Sequence, residues 1–378
     1  MDFSISEEQS ILADSVAKFI DSDYDFETRQ KVAADHQLSE QMWQNFAELG
    51  WTAVPFAEDD GGLDGGPIET MLMMEQFGRG LVVEPFLANI VLAGGALKRA
   101  ASSEQKERWL APIIAGESQA TLAFAEPQAR FDAADIATTA VNVDGGFELN
   151  GRKCMVLNGG DADLLIIPAR TAGDQTDKNG VTLFLVSADH DGISRNAYPT
   201  VDGSRAAELT LKNVRVSADD VLGSVDEGWT VLGDVVADAT LAVSAEAVGI
   251  MQTMFEKTVE YSKNRVQFGV PIGSFQALQH RMVDMMMSCE QSRSLLYWAV
   301  MLSASDDPAA RKAIDAIKYQ VGSAGVDLAR EAVQLHGGMG VTWELDIAHY
   351  FKRMTAIDIL FGNADYHLDR FMESSTKI

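Results

Sequence analysis

Arg265-Val266-Gln267-Phe268-Gly269-Val270-Pro271-Ile272, followed by Phe275-Gln276 and then Gln279, is the stretch on which the reading of this chain turns. A long run with apolar residues at helical spacing, about Thr230 to Asn264, leads into it. Three more such runs follow, about Ser274 to Ser303, Pro308 to Leu335 and Leu345 to Ser374, with Pro271 and Gly337-Gly338 at junctions where a helix has to stop. Amphipathic helices of this length predict a four-helix bundle that buries one face in other subunits.

Upstream of the bundle the texture is different. From about residue 119 the apolar period falls from 3.6 to 2, with strand-like runs at Thr121-Ala125, Ala137-Val143, Phe147-Leu149, Leu164-Ala169, Val181-Val186 and Glu208-Val216. Turn signals separate them at Asp144-Gly145-Gly146, Asn150-Gly151 and Asn158-Gly159. Before residue 119 the pattern is helical again. Ser6 and Gln9 make a capping box that starts a helix near Glu7, and further helices are expected over about Ser39 to Leu49, Ile68 to Phe77, Glu84 to Arg99 and Ser103 to Ala115. The glycine-rich Asp59-Asp60-Gly61-Gly62-Leu63-Asp64-Gly65-Gly66 lacks the Gly-Lys-Ser/Thr ending of a P-loop and reads as a connector. The expected architecture is α+β in three parts: a helical domain over 1–118, a β-barrel or sandwich over 119–226, and the helical bundle over 227–378.

Composition narrows the function. A net charge of −26 argues against a nucleic-acid surface, which needs clustered Lys and Arg. No apolar run reaches the roughly 20 residues of a membrane helix, and the acidic N-terminus has no secretory h-region. Two cysteines, Cys154 and Cys289, imply no disulfide framework, so a reducing cytoplasm is the expected location. The six histidines are scattered, which leaves no metal constellation, and no G-x-S-x-G elbow supports a nucleophilic triad.

The opening stretch and Gln334-Leu335-His336-Gly337-Gly338-Met339-Gly340 occur together with Glu58-Asp59-Asp60-Gly61-Gly62-Leu63, Ala125-Glu126-Pro127, Thr138-Thr139-Ala140, Lys153 and Asn158-Gly159. With these motifs the chain resembles acyl-CoA dehydrogenases over its whole length. Met1-Asp2-Phe3, Asp23-Tyr24-Asp25-Phe26 and Phe361-Gly362-Asn363 look most like the small subunit of pimeloyl-CoA dehydrogenase and related two-gene enzymes.

The resemblance implies FAD, an acyl-CoA thioester as substrate and electron-transfer flavoprotein as acceptor. It assigns Arg265 and the Gly337-Gly338 turn to the FAD pyrophosphate, Gln267, Gln276 and Gln334 to its ribityl and adenosine parts, and Phe268 to the adenine, in an FAD held mainly by a neighbouring subunit. A guanidinium fork and approachable backbone amides suit a pyrophosphate. Taken singly, Arg265 also reads as a surface charge ending a helix, and Gly337 as a C-cap glycine.

The family base is a Glu before the glycine of a C-terminal motif that aligns with Leu360-Phe361-Gly362-Asn363, so the base position holds Phe361. An alternative family position falls on Ala239, with Asp238 one residue and about 100° of helix away. No catalytic residue is assigned. Ala125, Met155, Leu157, Arg130-Phe131 and Thr240 also depart from the flavin- and CoA-contacting types. The expectation is a non-catalytic subunit that lends FAD contacts to a larger acyl-CoA dehydrogenase subunit. Its rivals are a homo-oligomeric enzyme using Asp238 and a flavin-free scaffolding homologue.

Overall fold

A computed structural model of the chain describes residues 5–376, so the opening Met1-Asp2-Phe3 lies outside it. Contacts gather into two compact units. One comprises the residues up to Ala34, Gly66–Val83 and the chain from Thr240 onward; the other comprises Asp35–Gly65 and Glu84–Ala239.

In the first unit the N-terminal helices are α1 (Glu7–Asp23), α2 (Phe26–Ala34) and α4 (Pro67–Gly80), while α3 (His36–Glu48) belongs to the second. The capping box of α1 forms, with the Gln9 amide N–H donating to Ser6 Oγ at 3.2 Å and the Ser6 amide to Gln9 Oε1 at 2.9 Å. Proline opens α4 and so removes one donor that would be left over at the helix start, and Glu69 satisfies another by taking the Gly66 amide at 2.7 Å.

The second unit carries a helix that departs from the regular pattern expected over Glu84 to Arg99. Leu87–Gly94 is wound as a π-helix before α5 (Gly95–Ala100), and after α6 (Ser103–Gln105) a second π turn, Lys106–Leu110, leads to α7 (Ala111–Ile114).

One sheet of eight strands forms the β part: β1 (Ala120–Leu122), β2 (Thr139–Val143), β3 (Gly146–Leu157), β4 (Leu164–Arg170), β5 (Val181–Ser187), β6 (Ile193–Pro199), β7 (Arg205–Ser217) and β8 (Val221–Leu222). Its order is β6-β7-β3-β2-β4-β5-β8, with β1 parallel to β4. The sheet curls over its core, since Phe147 of β3 and Phe184 of β5 meet edge to face at 5.2 Å although two strands separate them on the path. Asn150-Gly151 is not the turn expected there. β3 runs straight through it with a register shift between Leu149 and Gly151, because a side chain at 151 would strike Thr138, 2.4 Å from its Oγ1. β6, with no clear alternation of burial, was not expected as a strand.

The C-terminal helices are α8 (Gly228–Asn264), α9 (Gln276–Ala304), α10 (Ala310–Gln320), α11 (Val326–His336), α12 (Ile347–Ile359) and α13 (Ala364–Thr376). The unit boundary falls inside α8. A π turn at Val321–Gly325 joins α10 to α11 as one rod, as expected for that run. The last run, expected as a single helix, is broken into α12 and α13 by a turn at Leu360–Asn363, where Phe361 has φ +60 and Gly362 φ +118. Among the described residues no helix is long and apolar enough to cross a membrane.

Candidate functional site

Two clusters of the singled-out residues lie in the unit that contains the C-terminal helices. The first is outward-facing. α8 ends with the Arg265 amide donating to the Tyr261 carbonyl at 2.8 Å, and the chain then makes a two-stranded ribbon, β9 (Val266–Gln267) against β10 (Val270–Pro271). Phe268 and Gly269 form its tip with φ of +54 and +83, the backbone of a tight hairpin turn. Asn, Asp or Gly is the usual occupant of such a position, and a bulky residue there is strained. Phe268 is nevertheless 92% exposed, with Phe275 as its aromatic neighbour at 6.3 Å. Backbone strain and an exposed ring at one residue are both costs, and the chain's own packing offsets neither.

The Arg265 side chain is exposed and makes no hydrogen bond or ion pair with the described residues. Gln267 reaches only its neighbour's carbonyl, Val266, at 2.8 Å; Gln276 opens α9 and Gln334 sits in the last turn of α11, both exposed. The ends of α8 and α11 are brought together by the Tyr261 ring stacked on His336 at 4.4 Å. His336 is buried, its Nδ1 pairs with the Ala332 carbonyl at 2.8 Å, and burial lowers its proton affinity. Gly337 follows directly. Its φ of +60 with ψ of −141 is a conformation for glycine, and in this it is a helix-ending residue. Gly338 has no such constraint. A Cβ at either glycine would meet nothing of the chain within 4 Å, so Gly338 leaves its backbone open with no internal reason.

The second cluster surrounds position 361. The Phe361 carbonyl accepts from His367 Nε2 at 3.1 Å and the Gly362 carbonyl from Lys318 Nζ at 2.6 Å. His367 pairs through Nδ1 with Asp315 at 2.7 Å, and Asp315 also takes Arg370 Nε at 3.0 Å. No acid occupies the turn itself. In the other unit, Ala239 is fully buried and Asp238 is ion-paired with Arg99.

Sequence reasoning missed what Glu126 and Lys153 do. They form a buried ion pair at 2.6 Å in which Lys153 also donates to the Pro168 carbonyl at 2.7 Å, while Glu126 takes the amides of Ala137 and Thr138. These motif residues hold the loop before β2 onto β3 and are structural. Met155, at φ +48 on the second bulge of β3 and half-exposed, receives the Tyr198 hydroxyl on its sulfur at 3.1 Å. Lys318 was also missed, although a lysine among Ile314, Ile317 and Val321 on the apolar stripe of a helix is a signal legible in the sequence. Among the described residues there is no group of three or more His, Cys, Asp or Glu that could hold a metal ion.

The helical, sheet, helical order, with an exposed ribbon and a glycine turn at the ends of two neighbouring helices, is the architecture of an acyl-CoA dehydrogenase-like oxidoreductase, as the comparisons with known proteins show. The chain belongs to the acyl-CoA dehydrogenase family. The N-terminal, middle and C-terminal domains of acyl-CoA dehydrogenases match residues 6–117, 121–214 and 226–376. A short-chain specific acyl-CoA dehydrogenase of Megasphaera elsdenii is 30% identical, covering 88% of this chain and 90% of its own length. The CarC subunit of a caffeyl-CoA reductase–Etf complex of Acetobacterium woodii is 26% identical over 95% of this chain and 96% of its own.

Among solved structures, PigA with FAD and proline superposes with a TM-score of 0.92 at 27% identity, covering 99% of both chains. A chain of the ChsE4-ChsE5 complex of Mycobacterium tuberculosis does so with 0.89 at 26%, covering all of both. The chain is thus an oxidoreductase of a family whose cofactor is FAD. Its residues fit such a group: a pyrophosphate calls for a cationic fork and approachable amides, and Arg265 and the Gly337-Gly338 turn present these with no side-chain partner among the described residues.

Proposed function

We propose that this chain is a subunit of an FAD-dependent acyl-CoA dehydrogenase that lends its Arg265 ribbon and Gly337-Gly338 turn to FAD in a larger, catalytic acyl-CoA dehydrogenase subunit. The reaction of the assembly is α,β-desaturation of an acyl-CoA thioester, as in fatty-acid β-oxidation. A carboxylate takes the Cα proton, and FAD when bound supplies the acceptor for the Cβ hydride. In this chain Arg265 neutralises pyrophosphate charge, Gln267, Gln276 and Gln334 orient the polar parts of the cofactor by hydrogen bonding, and Phe268 packs on the adenine. Electron-transfer flavoprotein reoxidises the assembly, in a cytoplasmic setting that suits two free cysteines.

The observation that carries this reading is Phe361. The turn is shaped and held, yet it bears an aromatic ring where proton abstraction needs a carboxylate. Ala239 offers no acid, and Asp238 answers to Arg99. That a relative is a subunit of an Etf complex and a structural neighbour is one chain of a two-component complex supports assembly with a partner chain.

The test is flavin content. Expressed alone the chain should be flavin-poor and inactive, and co-expressed with its partner it should give about one FAD per pair. Full flavin occupancy with turnover by the chain alone overturns the reading in favour of a homo-oligomer.

A further inference from the structure

The turn at Leu360–Asn363 is held more firmly than its own residues require. Phe361 lies in the left-handed region, a strained conformation for an aromatic residue, and unlike the exposed Phe268 it has packed neighbours that hold its backbone there. Those surroundings are specific. Lys318, with no exposed surface, spends its ammonium on two backbone carbonyls of this one segment, Gly362 at 2.6 Å and Asp358 at 2.9 Å. Among the described residues no carboxylate is its hydrogen-bond partner; the Asp358 carboxylate attracts it only through space, and burial lowers its proton affinity to about 8.

His367, 3% exposed, is engaged on both ring nitrogens, by Asp315 Oδ1 at 2.7 Å and by the Phe361 carbonyl at 3.1 Å. Both partners are acceptors, and burial lowers the proton affinity of the ring against the pull of Asp315, so a neutral ring donates to one of the two at a time. The charged and titratable groups around it are Asp315 and Lys318 from α10, and Tyr366 and Arg370 from its own helix. Asp358 closes the frame by taking the Ala364 amide at 3.1 Å. A Cβ on Gly362 would lie 2.3 Å from Tyr366 and 2.8 Å from His367, so the turn admits no side chain there.

We propose that Lys318 and His367 are positioning residues that fix residue 361 in the left-handed conformation through two successive carbonyls, whatever its side chain. The turn is then a rigid frame, and the residue at 361 alone decides whether it presents a carboxylate or an apolar plug. In this chain the frame holds Phe361 as a plug. The last statement rests on the reading that 361 is the base position; the mechanical claim about Lys318 and His367 does not.

The experiment is hydrogen exchange by mass spectrometry on the assembled protein, comparing native, Lys318→Met, Lys318→Arg and His367→Gln. Lys318→Met should reduce the protection of amides 359–364 by about tenfold or more while α8 and α9 keep theirs, because only the turn loses its donor. Lys318→Arg, which keeps a charged donor, should restore most of that protection. His367→Gln, which keeps one donor, should loosen the turn partially.

Native protection there should also fall as pH rises through about 8, where Lys318, its proton affinity lowered to about 8 by burial, gives up its proton. If Lys318→Met does not fold, His367→Gln and the pH series decide alone. Protection within twofold of native in the folded variants, or a loss spread evenly over all helices, overturns the proposal. Turnover by the chain without a partner would end the reading of Phe361 as a plug but leave this result standing.

Discussion

Replacing Arg265 with glutamate separates a flavin-binding role from a role in the fold. In the structure this side chain is exposed and has no intramolecular partner among the described residues, so the chain itself loses little. Surface changes of that kind stay within about 0.5 kcal/mol, and a negative charge just past the C-terminus of α8 adds a cost of about 0.3–1 kcal/mol. The midpoint of thermal unfolding should therefore move by only a few degrees.

Flavin binding should respond far more. A charge-assisted contact to phosphate contributes about 1.5–3 kcal/mol, roughly ten- to 150-fold in affinity, and reversing the charge adds repulsion from two phosphates. Arg265→Lys keeps the charge and loses the fork, so it should weaken binding only in part. The assay is flavin absorbance per chain in complex isolated by gel filtration, alongside a thermal melt. Arg108→Glu is the control, since Arg108 lies over Trp109, is 3.8 Å from Asp220 and belongs to the other unit. Normal flavin content in a correctly assembled Arg265→Glu complex would refute the reasoning, and Arg265 would then be no more than a charge at a helix end.

Burial pushes the Glu75 carboxyl up to about 7, against the attraction of Arg293, and its Oε1 has no hydrogen-bond partner. A raised acid costs nothing below about pH 4.5, where folded and unfolded forms are both protonated, and its full cost is reached above about pH 7. Stability should fall across that window, and Glu75→Gln should recover up to about 3 kcal/mol at about pH 8 and nothing at about pH 4, as read from urea midpoints. Lys153→Met strands the Glu126 carboxylate and should lower stability by about 3–5 kcal/mol, with the double change Lys153→Met/Glu126→Gln milder in the same melts. Phe361→Glu in the assembled complex should restore little activity to this chain, because Ala125, Met155 and Leu157 have also departed from the flavin-contacting types; substantial turnover would show that the cleft is better preserved than these residues indicate.

Much of the fold was legible because it is written in period. The helical runs around the β part, the capping box at Ser6 and most of the strands follow from apolar spacing and turn chemistry alone. The Arg265 ribbon and the Gly337-Gly338 turn were legible as motifs, and the structure adds that Tyr261 and His336 bring their two helix ends together. The departures were also legible: an apolar ring at 361 and an alanine at 239 need no coordinates to be seen.

What the sequence left open was decided by contacts between residues far apart in the chain. Asn150-Gly151 has the chemistry of a hairpin turn, but packing of Thr138 against Gly151 and pairing with β7 carry the strand through it. Leu345 to Ser374 keeps an unbroken helical period, and a single glycine is a weak stop signal. The break at Phe361-Gly362 exists because Lys318 and His367, 44 and 6 residues from the carbonyls they hold, bond to the turn in place of helical partners. Local propensity sums over neighbours along the chain, whereas a buried ammonium must find carbonyls wherever the fold leaves them, and that requirement is visible only in three dimensions.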